Sequence, residues 1–147
     1  MLRRMKVLIV EDEVLYSEML AATVSAWGHE VHTAETGRQA LESVLFQGID
    51  VLLLDVFLPD TTATELIPKL MSLYPETRLI ALTGQGSCEL GRRLRLLGAS
   101  YCIAKPFQRA ELQRIFDHIA VVGPDERRTV NLNSTDRKDY SWDMNRK

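Results

Sequence analysis

Val51-Leu52-Leu53-Leu54 is an unbroken apolar run that closes on one ionisable side chain, Asp55, and continues as Val56-Phe57-Leu58-Pro59. A run this short with no polar alternation reads as a strand buried on both faces, the pattern of a parallel sheet with helices on each side. In open α/β sheets, ligands bind just outside the carboxyl ends of the strands, which is where Asp55 stands. Taken alone, a strand-end aspartate is more often a cap for the next loop than a site, so the surrounding sequence has to overturn that reading.

On the N-terminal side, Val7 to Val10 is a short apolar strand closed by Glu11-Asp12-Glu13. Leu15, Met19, Leu20, Thr23, Val24 and Trp27 follow at helical spacing up to Gly28. Val31 to Ala34 is predicted as a second strand, and a helix through Ala40, Leu41, Val44 and Leu45 stops at Gly48. Beyond Asp55, Pro59 fixes a turn and Thr61, Thr62 and Thr64 offer N-cap hydroxyls. A third helix then carries Leu66, Ile67, Leu70, Met71 and Leu73, with Pro68 expected near its first turn.

Leu79 to Thr83 is a fourth strand with a polar end, followed by a Gly84-Gln85-Gly86 loop. The fourth helix has Leu90, Leu94 and Leu97 on one side and Arg92, Arg93 and Arg95 on a solvated one, before Gly98. Tyr101 to Ala104 leads into Lys105-Pro106, and a last helix uses Leu112, Ile115, Phe116 and Ile119. Five strand-helix steps predict one α/β domain, a doubly wound sandwich on a five-stranded parallel sheet with helices on both faces. Polar strand ends then converge on a single edge, which promotes Asp55 from cap to candidate site.

Length and composition bound the rest. The 147 residues suffice for one domain, expected over 5–122, with 123–147 as a flexible polar tail or the start of a linker. A formal charge of −2 argues against direct nucleic-acid binding. Cys88 and Cys102 have neither zinc-site nor disulfide spacing, and the N-terminal apolar run is too short for a signal peptide or membrane span. These features point to a cytoplasmic chain with no membrane partner. His29, His32 and His118 avoid the strand ends and are read as structural, as is Cys102 within its strand. Tyr140 and Trp142 are the aromatics of the tail.

At the shared edge, Glu11, Asp12 and Asp55 would repel one another unless a cation compensates, and such oxygen donors suit Mg²⁺. Thr83 and Lys105 add a hydroxyl donor and a positive point charge, completing the roles that phosphoryl transfer to a carboxylate requires.

Over roughly Lys6 to Val121 the chain resembles the receiver domains of two-component response regulators. The matching residues are Glu11-Asp12, Asp55 with Pro59, Thr83-Gly84, Gly98-Ala99 and Lys105-Pro106-Phe107, each after its expected strand or turn. The resemblance implies a flavodoxin-like (βα)5 fold and a phosphorelay switch rather than a turnover enzyme. Asp55 would accept a phosphoryl group from the phosphohistidine of a sensor histidine kinase or phosphotransfer protein. Mg²⁺ would be held by Asp12, Asp55 and the backbone carbonyl of Phe57, with Glu11 acting mainly through water. Thr83 and Lys105 would hold the phosphoryl oxygens, and movement of Thr83 would reshape the face made by the fourth helix, fifth strand and fifth helix for a downstream protein or a second copy.

Three departures from the family pattern matter. Cys102 stands where an aromatic switch residue is usual, and Tyr101 should point to the opposite face. Ala63 replaces a frequent glycine, which predicts a different local loop. Phe57 and Gln85 flank the site where they would influence water access, and bulky Phe57 is expected to slow acyl-phosphate hydrolysis. Among rivals, a phosphatase of the haloacid dehalogenase type also uses an Asp nucleophile with Mg²⁺, but wants a second Asp where Phe57 stands. A receiver that no longer turns over phosphate is disfavoured by the five retained site residues. A receiver cut from a longer, DNA-binding regulator fits the tail nearly as well as a stand-alone module.

Overall fold

The computed structural model describes residues 3–84 and 88–121, apart from the side chains of residues 45–47 and 88. The expected Gln85-Gly86 loop, the side chain of Leu45 and the tail with Tyr140 and Trp142 lie outside the described residues.

Strands β1 (Lys6–Val10), β2 (Glu30–Ala34), β3 (Val51–Asp55), β4 (Arg78–Thr83) and β5 (Tyr101–Ala104) alternate with helices α1 (Val14–Ala26), α2 (Gly37–Gln47), α3 (Ala63–Leu73), α4 (Cys88–Leu97) and α5 (Arg109–Val121). The strands pair in parallel in the order β2-β1-β3-β4-β5, the doubly wound flavodoxin-like arrangement. The order reverses beside β1 and β3, so the switch-point crevice opens where Glu11, Asp12 and Asp55 emerge.

Strand pleating divides the core into two layers. Leu8, Val10, Leu52, Leu54, Leu79, Ala81 and Cys102 face α2, α3 and α4 through Ala40, Val44, Leu66, Ile67, Leu70 and Leu94. Val7, Ile9, Val51, Leu53, Ile80, Leu82, Tyr101 and Ile103 face α1 and α5 through Leu20, Val24, Leu112, Ile115, Phe116 and Ile119. Strands β1, β3, β4 and β5 therefore carry apolar residues at successive positions, which is why the run at Val51 shows no alternation. Tyr101 and Cys102 point to opposite faces as expected, and the Tyr101 ring meets His118 edge-on at 6.3 Å.

Some helix expectations need correcting. Leu15 and Met19 are 77% and 49% exposed, and the buried side of α1 instead runs through Ser17, Leu20 and Val24. Leu73 is likewise 60% exposed at the end of α3. Pro68 sits inside α3, beyond its first turn and on the exposed side, where its missing N–H leaves the helix continuous from Ala63 to Leu73. Ala63 opens that helix, fully buried, with its N–H donating to the Val56 carbonyl at 2.8 Å. No non-glycine residue has a positive φ among the described residues, so this loop needs no glycine-only backbone at Ala63.

The loop leaving β3 also organises α2. Asp60 accepts from the Gly37 and Arg38 N–H groups at 2.8 and 3.1 Å, supplying the anionic cap that a helix N-terminus favours. These bonds hold the Asp60 carboxyl below its usual range. Gly37 is required by the close approach, since a Cβ there would run into the Thr61 side chain.

Candidate acidic site at the carboxyl edge of the sheet

Four strands, β1, β3, β4 and β5, deliver the site. Carboxylate oxygens of Glu11, Asp12 and Asp55 all lie within 4.8 Å of one another, a donor set able to hold a divalent cation. Asp12 is exposed, Asp55 is partly buried, and Glu11 is 2% exposed. Glu11 is also the most firmly held: Oε2 accepts from the Glu13 N–H at 3.1 Å and Oε1 accepts from Lys105 Nζ at 3.0 Å.

Lys105 crosses from the end of β5 to reach both acids, its Nζ lying 3.8 Å from Asp55 Oδ2. Its backbone is anchored by donation from its N–H to the Thr83 carbonyl at 2.6 Å. The Lys105–Pro106 peptide is cis. The Asp55 carboxyl is pushed up from 3.8 to about 6, first by burial and then by the Glu11 charge, with Lys105 and the Phe57 N–H offsetting only part of this. An acid buried beside a second carboxylate and only partly offset by Lys105 suits a site with room for more positive charge.

Thr83 ends β4, 1% exposed, and its Oγ1 has no hydrogen-bond partner among the described residues. A buried hydroxyl without a partner costs stability, and here it sits at the strand end beside the acid cluster. Phe57 follows Asp55 with its side chain 70% exposed, while the backbone of this loop is pinned by Val56 N–H to Leu82 O and Leu58 N–H to Thr61 O. Cys102 is fully buried, packs with the α2–α4 layer, and has its thiol pushed up to about 11 by burial, as a packing residue should.

Glu11, Asp12, Asp55, Thr83 and Lys105 are therefore all brought to one edge. Sequence reading missed Tyr16, whose ring takes the Lys105 ammonium at 4.5 Å from its centroid.

Comparisons with known proteins agree with this arrangement. The sequence profile of the response regulator receiver domain matches residues 7–117. The transcriptional regulatory protein CpxR of Escherichia coli K12 is 38% identical over 108 residues, which cover 73% of this chain and 45% of CpxR. The chemotaxis response regulator CheY4 of Vibrio cholerae superposes with a TM-score of 0.74 at 30% identity, over 80% of this chain and 99% of that one. The beryllofluoride-activated receiver domain dimer of NtrC4 gives 0.75 at 28% identity, over 78% and 95%. The chain spans between 24% and 48% of the length of curated relatives such as ZraR and CreB. No helix among the described residues is long and apolar enough to cross a membrane. With the profile covering most of the chain and the acidic cluster at the switch point, this protein belongs to the response regulator receiver domain family of two-component signalling.

Proposed function

We propose that Asp55 is the phosphoacceptor of this receiver, taking a phosphoryl group from the phosphohistidine of a histidine kinase or phosphotransfer protein. The observation that carries this is a cluster of three carboxylates within 4.8 Å of one another, two of which, Glu11 and Asp55, share the ammonium of Lys105, with Asp55 the destabilised member. An Asp55 oxygen attacks phosphorus in line, forming the acyl-phosphate bond as the P–N bond breaks and its electron pair returns to the donor imidazole.

Asp12, Asp55 and the Phe57 carbonyl are the groups that would hold Mg²⁺, with Glu11 acting through water. The donor set is all oxygen and anionic, which fits a hard cation, and when bound the ion offsets charge on the phosphoryl oxygens. Lys105 then exchanges Glu11 for a phosphoryl oxygen, and the buried Thr83 hydroxyl gains the acceptor it lacks. This makes the chain a switch that is modified and reset, not a turnover enzyme.

Val14, Leu15, Met19 and Phe57 leave large apolar side chains exposed on α1 and on the loop carrying the acceptor. They form the surface on which the phosphodonor would dock. Residues 5–122 constitute the receiver in this reading, and exposed Arg92, Arg93 and Leu96 on α4 give the output face a contact for a target or a second copy. That the matched relatives are longer transcriptional regulators favours a second form of the same reading, in which this receiver governs an attached output domain. A reading frame continuing past Lys147 would select it.

The decisive test is intact-mass analysis after incubation with Mg²⁺ and acetyl phosphate. The wild type should gain one phosphoryl group only with Mg²⁺, and Asp55→Asn should gain none. Equal modification of the variant, or none of the wild type under conditions that modify a control receiver, would overturn the assignment.

A further inference from the structure

The ammonium of Lys105 is held on three sides. Glu11 Oε1 lies at 3.0 Å and Asp55 Oδ2 at 3.8 Å, while the third wall is the face of Tyr16, 4.5 Å from Nζ to the ring centroid. The ring is itself fixed, because Phe107 meets it edge-on at 6.5 Å and an interplanar angle of 76°. Phe107 belongs to the same short segment as Lys105, so one turn after β5 supplies both the cation and the support for the ring that receives it.

We propose that Tyr16 is a positioning residue for the proposed phosphoryl transfer, its ring face keeping the Lys105 ammonium over Asp55 when the carboxylates are engaged elsewhere. The inference rests on the phosphoacceptor reading of the site. A lysine ammonium is a strongly hydrated point charge on a flexible stem, and water recovers it readily once its anionic partners are lost. The two carboxylates that hold it are also members of the cluster suited to a divalent cation. An aromatic face attracts the ammonium by its quadrupole without competing for the metal. Burial, followed by the charges of Glu11, Asp55 and Glu13, pushes the Tyr16 hydroxyl up to about 12, so the ring stays a neutral phenol.

The full chain with Tyr16→Phe and Tyr16→Leu tests this. Phenylalanine keeps the face and leucine removes it at similar bulk. The first measurement is the ring-current shift of the Lys105 ε-methylene protons in the unphosphorylated protein, assigned with Lys105→Ala. The second is the affinity for beryllofluoride in saturating Mg²⁺. Tyr16→Phe should retain both the upfield shift and the affinity. Tyr16→Leu should lose the shift and bind beryllofluoride about three- to tenfold more weakly, the range of a cation–π contact at a partly buried site.

Magnesium affinity, measured alone, should be unaltered in both variants, which general damage to the site would not allow. A shift retained in Tyr16→Leu, or beryllofluoride binding by that variant at wild-type strength, would overturn the role. Loss of the shift in Tyr16→Leu with no beryllofluoride binding even by the wild type would leave Tyr16 as the residue positioning Lys105. It would instead bring down the phosphoacceptor reading.

Discussion

Two buried threonines bracket strand β4, one just before it and one at its end, and they are treated in opposite ways. Thr77, just before the strand and 8% exposed, donates its hydroxyl to the Ile49 carbonyl at 3.0 Å. Thr83, at the other end and 1% exposed, has no hydroxyl partner among the described residues. The contrast extends along both edges of the sheet. At the amino edge, Asp50 Oδ2 accepts from the Lys6 N–H at 2.9 Å and His29 Nδ1 accepts from the Met5 N–H at 3.1 Å, so polar side chains complete the backbone there. At the carboxyl edge, three acids crowd together and one is forced toward protonation. Thr77, Asp50 and His29 thus spend their polar atoms on the backbone at the amino edge, whereas at the carboxyl edge the Thr83 hydroxyl and the crowded acids are left unsatisfied by the fold itself.

The same substitution at the two threonines should therefore give opposite signs, with the larger effect at Thr77. Thr77→Val removes a made bond and leaves the Ile49 carbonyl without its donor, costing about 1–3 kcal/mol in urea unfolding. Its rate of modification by acetyl phosphate should match the wild type below the melting transition. A stability loss under a few tenths of a kcal/mol would show that water replaces the hydroxyl and that the amino edge is less committed than its geometry implies.

Asp55→Asn should stabilise the chain. Between about pH 4 and pH 6 the folded protein holds a proton that the unfolded chain has released, so stability falls as pH rises through that window and is level above it. The shift corresponds to at most about 3 kcal/mol, and to about 1–2 kcal/mol once screening at the open edge is allowed for. Asp55→Asn should exceed the wild type by that amount at pH 7, with the gap closing toward pH 4 and narrowing when Mg²⁺ is added. Parallel unfolding curves across this pH range would break the claim that the carboxyl edge is electrostatically loaded.

Thr83→Val completes the pair. Removing an unmet buried hydroxyl at nearly constant shape should raise stability by about 1 kcal/mol, or a few degrees in melting temperature. Beryllofluoride affinity should fall in the same variant. A destabilised Thr83→Val would mean that the hydroxyl has a partner in the resting protein, and the two ends of β4 would be alike after all.

How much of this was legible in the sequence follows from where each interaction is encoded. Strand ends are local: an apolar run stopping at Glu11, Asp55, Thr83 or Lys105 declares both the strand and the edge, and the βα alternation then brings those ends together. Helix phase was legible where one side is polar, as in α5, whose four expected core residues are all buried. It failed in α1, where Leu15, Met19, Leu20, Ala21 and Val24 surround the axis and give no preferred side. The Asp60 cap on α2 and the Tyr16 ring beneath Lys105 were hidden because each joins segments far apart in the chain, and no spacing rule connects them.

Phe57 offers the smallest and sharpest probe of the carboxyl edge. Phe57 stands two residues beyond the proposed acceptor Asp55 but is 70% exposed, so it can shade an acyl phosphate from water only on one side and without enclosing it. Shielding of that kind alters the hydrolytic barrier by under about 1 kcal/mol, which predicts that Phe57→Asn shortens the phosphoryl lifetime about two- to fivefold. The lifetime would be followed by intact mass after the phosphodonor is removed. An unchanged lifetime would place control of water in the backbone and the buried acids rather than in the exposed ring. A change well beyond fivefold would require the ring to fold down over Asp55 once the phosphoryl group is in place, making the carboxyl edge an enclosed site only in its modified form.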